Sequence, residues 1–208
     1  MPVEFLSSAL ATLLVIIDPV SLAPIFLGLT QGMTAEQRAA IAIRAVLIAA
    51  AILIAFAFFG AKLLALVGIG IPAFRIAGGL LLFSVAFEML FDRRSQRQGK
   101  TAETAVTTDQ FHAIAAFPLA IPLMAGPGAI TASILLASQA GSDPVRLGGL
   151  VGVILSVLVA CYIVLRSANG IARLLGVTGT TVLSRLLGVL LSALAIQFII
   201  DGIRAAMR

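Results

Sequence analysis

Between Arg44 and Lys62 the sequence runs through residues 45–61 without one charged or hydrogen-bonding side chain, and residues 147–165, between Arg146 and Arg166, do so without a charge. A helix rising about 1.5 Å per residue needs about 20 apolar residues to cross a hydrocarbon core about 30 Å thick. Runs of this length constrain the chain more than any other feature. Inside hydrocarbon each backbone N–H and C=O must find a partner within the protein, which leaves helices or a closed barrel. A barrel strand would alternate apolar and polar residues, and these runs are continuous. Composition agrees: 61% of the 208 residues are hydrophobic and 11% charged, against about 25% charged in an ordinary soluble domain. The fold class that follows is an all-α integral membrane protein with room for about six or seven spans and short loops.

The net charge of +5 comes from 14 Lys and Arg against 9 Asp and Glu. These basic residues stand at the ends of apolar runs, as loop charges that orient a membrane protein do, rather than clustering with aromatics as in a nucleic-acid surface. Cys161 is the only cysteine, so the chain has no internal disulfide. Met1-Pro2-Val3-Glu4 lacks the basic start of a signal peptide, and the first apolar run reads as a retained span. There is no His-Glu-x-x-His, Gly-x-Ser-x-Gly or Gly-Lys-Ser/Thr loop, so the expectation is a protein that is not an enzyme and uses no cofactor or metal.

Two intervals are longer than one straight crossing needs. Residues 5–35 carry a single charge, Asp18, with Pro19 and Pro24 nearby; residues 110–142 carry only His112 as a titratable group, with Pro118, Pro122 and Pro127. Proline removes a backbone N–H and clashes with the preceding turn, so both intervals read as interrupted helices. Residues 45–61 and 147–165 are plain spans, and 69–91 and 177–203 are spans with one arginine each, Arg75 and Arg185. Residues 92–109 form a polar loop with Arg93, Arg94, Arg97 and Lys100. The chain thus divides into a first three-span repeat, 1–91, a connecting loop, 92–111, and a second repeat, 112–208. Arg75-Ile76-Ala77-Gly78-Gly79-Leu80-Leu81-Leu82 aligns with Arg185-Leu186-Leu187-Gly188-Val189-Leu190-Leu191-Ser192, and Pro19 corresponds to Pro127. Three crossings are an odd number, so the second repeat enters from the opposite side. The expected architecture is six transmembrane helices as two inverted three-helix repeats, the first helix of each repeat broken.

Asp18-Pro19, Pro24-Ile25-Phe26, Phe74-Arg75-Ile76-Ala77-Gly78-Gly79 with Leu82-Phe83, and the run from Pro118 through Ala125-Gly126-Pro127-Gly128-Ala129-Ile130-Thr131 resemble the MarC family over nearly the whole chain. The resemblance implies a six-span inner-membrane protein of two inverted repeats, in a family that includes transporters of small neutral amino acids such as glycine and alanine. The sequence departs from the family at the first break, where a Gly-Asn pair usually stands near Ser21 and Leu22; that departure bears on the substrate more than on the fold.

The residues can be read on their own terms as well. A helix broken at membrane depth needs protein or a watered cavity to receive its freed backbone groups. Gly126 and Gly128 allow close approach to the backbone, and the helix that follows begins with N–H groups that suit a carboxylate. Carbonyls ending a preceding half-helix suit an ammonium, so a zwitterionic amino acid fits the pair, with hydroxyls from Ser21, Thr131 and Ser133. The alternative is a pair of packing kinks, since Gly and Pro are common in membrane helices. The candidate substrate residues are Asp18, Pro19, Ser21, Pro24, Gly126, Pro127, Gly128 and Thr131. Asp18 is also the coupling candidate: it could take a proton, orient an ion or simply cap the following half-helix. Arg75 and Arg185 read as structural or gating charges, Glu88 and Asp201 as interfacial, and Gly78-Gly79 and Gly148-Gly149 as helix-packing sites.

The expected function is a secondary transporter of small neutral amino acids, coupled to protons rather than sodium. The alternatives are an exporter of another small metabolite and a non-transporting scaffold or assembly partner. Expected partners are the amino acid, the coupling ion and the lipid bilayer, with no nucleic acid. The loops bearing Arg38 and Arg44, Arg93 to Lys100, and Arg166 and Arg173 outweigh the ends bearing Lys62, Arg146, Arg204 and Arg208, which puts both termini outside the cytoplasm.

Overall fold

The computed structural model describes residues 2–91 and 114–207. Every element in it is a helix: α1 (Pro2–Ile17), α2 (Pro19–Leu29), α3 (Ala35–Leu66), α4 (Ile71–Leu90), α5 (Ala115–Met124), α6 (Pro127–Ala140), α7 (Pro144–Arg166) and α8 (Ala168–Ala206). Five stretches are long and apolar enough to cross a membrane, Val3–Leu29, α3, α4, α7 and Thr178–Ala206, and the bent pair α5–α6 makes a sixth. The loop 92–111, with Arg93, Arg94, Arg97 and Lys100, lies outside the described residues, as does His112.

Local sequence explains where the helices start. Thr34 and Gln37 form a reciprocal capping box that opens α3, and the Asp143 carboxylate accepts from the N–H groups of Val145 and Arg146 to open α7. Both plain spans extend past their apolar runs, because helix-forming charged residues such as Arg38, Arg44 and Lys62 continue the winding into the interface. The last span is preceded by a short helical stretch that the sequence reading left out. Gly176, at φ 60°, breaks α8 there, a conformation open to glycine at little cost.

The two interrupted helices differ. In the first, the break is confined to Asp18; Pro19 occupies the first turn of α2, where its missing N–H costs nothing, and Pro24 sits inside α2 without ending it. The second is broken more deeply. Phe117 and Ile121, each preceding a proline, take extended conformations (φ −134°, ψ 125° and φ −122°, ψ 123°), as the clash of the proline ring with the preceding residue dictates. The Phe117-Pro118 and Ile121-Pro122 bonds are cis. α5 and α6 meet at 58°.

Lipid tails are as apolar as leucine, so the spans are held by close packing rather than by exclusion of water. α4 and α8 form the most extensive pair, along glycines: an added Cβ at Gly79 would meet Ile199 and the Ala195 carbonyl, at Gly188 it would meet Met89 and Ala86, and at Gly202 it would meet Ile76 and Pro72. Partners ascend along α4 as they descend along α8, so the two helices are antiparallel. α3 packs on α5 and α6, while α7 packs on α1 and α2. Leu47, Phe59, Leu80, Val159 and Leu190 stand outward, each more than half exposed, in numbers that suit contact with acyl chains rather than water.

Candidate functional site

Asp18 joins two helices. Its N–H donates to the Leu14 carbonyl at 3.0 Å, closing α1, and its Oδ1 accepts from the Ser21 N–H at 3.4 Å, opening α2. To do both it takes φ 52°, ψ 70°, and it is the one non-glycine among the described residues with positive φ. Aspartate tolerates this left-handed region better than most residues, yet the cost is still about 1–3 kcal/mol, and such outliers concentrate at functional sites.

The side chain is 1% exposed near the midpoint of the 27-residue first span. A carboxylate there costs at least about 2.5 kcal/mol on insertion scales unless the protein receives it. Two hydroxyls do so. Ser21 Oγ lies 2.5 Å and Ser184 Oγ 3.0 Å from Asp18 Oδ2, each donating to it, and the two hydroxyl oxygens are 2.6 Å from each other. α2 and α8 therefore meet at one acidic group. Ser184 is the residue that sequence reasoning missed. It lies 166 positions from Asp18, and its one signal is that it adjoins Arg185.

The second break is built differently. Gly126 opens α6 without a side-chain cap, so among the described residues no N-cap side chain accepts from the first-turn N–H groups. A Cβ at Gly126 would strike the Pro122 carbonyl, which accounts for glycine at that position. A Cβ at Gly128 would lie 3.2 Å from Leu82, 3.4 Å from Ile16 and 3.9 Å from Val85, all apolar. Gly128 thus places the second break against Ile16, just ahead of Asp18. Thr131 is buried, its methyl group against Gly78. Ser133 donates to the Ala129 carbonyl of its own helix at 2.9 Å, which commits its hydrogen there.

The remaining candidates lie farther out. Pro19 is buried, whereas Pro24 and Pro127 are exposed. Arg75 is half-buried, and its Nε has no hydrogen-bond partner among the described residues; Arg185 is exposed. Asp201 accepts from Gln197 at 2.9 Å on its own helix. The structure therefore gathers Asp18, Pro19 and Ser21 at one break and Gly126, Gly128 and Thr131 at the other, with Ile16 between.

Comparison with known proteins gives a consistent answer. The profile described as "MarC family integral membrane protein" matches residues 3–207. A UPF0056 membrane protein of Methanocaldococcus jannaschii is 35% identical over 208 residues, covering 100% of both chains. Another from Archaeoglobus fulgidus is 39% identical over 204 residues, covering 96% of this chain and 92% of its own. The UPF0056 inner membrane protein YhgN of Escherichia coli is 34% identical over 201 residues, covering 97% of each. No solved structure matches the chain. The segments bearing Asp18-Pro19, Arg75 to Gly79 and Pro118 to Thr131 all fall inside these alignments, and the chain belongs to the MarC family of integral membrane proteins.

Proposed function

We propose that this protein is a secondary transporter that carries small neutral amino acids such as glycine and alanine across the inner membrane, coupled to protons rather than sodium. The observation that carries the reading is the oxygen triangle of Asp18, Ser21 and Ser184, with edges of 2.5, 2.6 and 3.0 Å. Three contacts of hydrogen-bond length call for three hydrogens, and two hydroxyls supply two. In this proposal a proton on Asp18 supplies the third: the carboxyl donates to one serine, which turns its own hydrogen to the other. Loss of that proton leaves one pair of oxygens facing each other with nothing between, which loosens the tie between α2 and α8. A carboxyl whose proton fastens one helix to another is a coupling device in miniature.

The architecture invoked is an inverted repeat, with α1–α4 and α5–α8 as the two halves. Antiparallel pairing of the equivalent helices α4 and α8 supports it, as does the exchange of partners in which α3 packs on α5 and α6 while α7 packs on α1 and α2. In such scaffolds substrate binds where broken helices meet. Here the uncapped start of α6 suits a carboxylate, carbonyls at the end of the preceding half-helix suit an ammonium, and the Thr131 hydroxyl lies one turn on. Leu82 and Ile16 already crowd the position of a Cβ at Gly128, which weighs against a bulky substrate side chain there. Both termini lie outside the cytoplasm in this reading.

Equilibrium binding of radiolabelled glycine to the purified protein tests the substrate assignment. Saturable binding that is competed by alanine and not by leucine is expected. Absence of binding for glycine and alanine across acid and neutral pH would refute it.

A further inference from the structure

Where α2 closes and α8 begins, a cavity of about 110 Å³ opens among four helix ends. Phe26 and Leu165, both buried, form its floor, and Arg38, Arg166 and Asn169 stand at its rim. Arg38 is half-buried and its Nε donates to the Thr30 carbonyl at 3.3 Å, which fixes the guanidinium in place. Arg166 is the exposed last residue of α7. Among the described residues no carboxylate lines the cavity and neither arginine has an ion pair. Two cations that share a cavity repel, and an anion between them reverses the sign of that interaction.

We propose that this cavity binds a phosphate group, held by the guanidinium groups of Arg38 and Arg166 and the amide of Asn169. Guanidinium forks match phosphate oxygens in pairs, and a tetrahedral anion fits the volume. The site lies at span ends, level with lipid headgroups, so the phosphate can come from an anionic phospholipid or from solution. The proposal is independent of the transported substrate, because none of the cavity's residues belongs to either break.

Binding to the purified protein in detergent can be measured with phosphatidylglycerol, with phosphatidylcholine of the same chains, and with inorganic phosphate. Arg166→Gln is the informative variant, since Arg166 makes no hydrogen bond among the described residues that its loss would break. Arg146→Gln, at the far end of α7, is the charge-matched control. Loss of one charge-assisted contact weakens binding by about tenfold in Arg166→Gln. Arg166→Lys, which keeps the charge and loses the fork, falls between it and the unmodified protein, while Arg146→Gln is unchanged. Preference for phosphatidylglycerol with inorganic phosphate inert identifies a lipid headgroup; binding of inorganic phosphate identifies a soluble source. The proposal is overturned if neither probe binds, if phosphatidylcholine binds as well as phosphatidylglycerol while phosphate is inert, or if Arg166→Gln and Arg146→Gln behave alike.

Discussion

Adding one methyl group to the α4–α8 seam should be more costly than adding it on an open helix face. A Cβ at Gly79 would lie 2.6 Å from Ile199 Cγ1 and 2.7 Å from the Ala195 carbonyl oxygen, which is backbone and cannot swing aside. Non-bonded carbons rest about 3.5–4.0 Å apart, so the helices must part by roughly 1 Å, and a gap of that size forfeits a quarter to a half of the dispersion energy at each neighbouring contact. Over-packing of this kind costs about 1–3 kcal/mol. Alanine also winds into a helix more readily than glycine by about 1 kcal/mol, which offsets part of the loss. Gly152 on α7 separates the two effects, because nothing lies within 4 Å of the Cβ it would acquire. Gly152→Ala should be neutral or stabilising, and Gly79→Ala should be less stable than Gly152→Ala by about 1–3 kcal/mol. Thermal unfolding of both variants in one detergent, followed by helical circular dichroism, reads the difference. Identical unfolding curves would refute close glycine packing between α4 and α8.

Two further outcomes follow from the same geometry. Gly126→Ala must displace the Pro122 carbonyl and should lower thermal stability markedly, whereas Gly128→Ala meets side chains of Leu82 and Ile16 that can shift by a few tenths of an ångström and should be tolerated; equal losses would contradict the account of the second break. Because Cys161 is buried, a cysteine introduced at Ser167 or Ser142, on opposite ends of α7, can be labelled selectively. The positive-inside pattern predicts labelling of Ser167→Cys from the cytoplasm and Ser142→Cys from outside, and the reverse result would invert the topology.

Much of this fold was legible because continuous apolar runs leave a chain few choices in lipid. Residues 45–61 and 147–165 could only be spans, and α3 and α7 contain them. The second break was equally plain, since each of Pro118 and Pro122 forces its preceding residue out of the helical region. The first break was harder to place. Proline reads as a breaker in sequence, but Pro19 initiates α2, and the actual interruption is the left-handed backbone of Asp18, to which proline spacing gives no clue. Gly78 and Gly79 were recognisable as packing positions, though not their partners: Gly78 faces Thr131 while its neighbour faces α8. Ser184 was illegible for a related reason. Serines are scattered through several of these helices, and the meeting of this one with Asp18 depends on tertiary packing of α2 against α8.

In the proposed transport cycle a proton on Asp18 drives the uptake of a small amino acid. Reconstituted in liposomes, the unmodified protein should accumulate labelled glycine when an inward proton gradient is imposed, and should exchange internal for external glycine without one. Asp18→Asn keeps size and some hydrogen bonding but cannot titrate, so it should retain exchange and lose accumulation. An aspartate that served as a cap alone would be replaced by asparagine with both activities intact. Full gradient-driven accumulation by Asp18→Asn would therefore contradict the account.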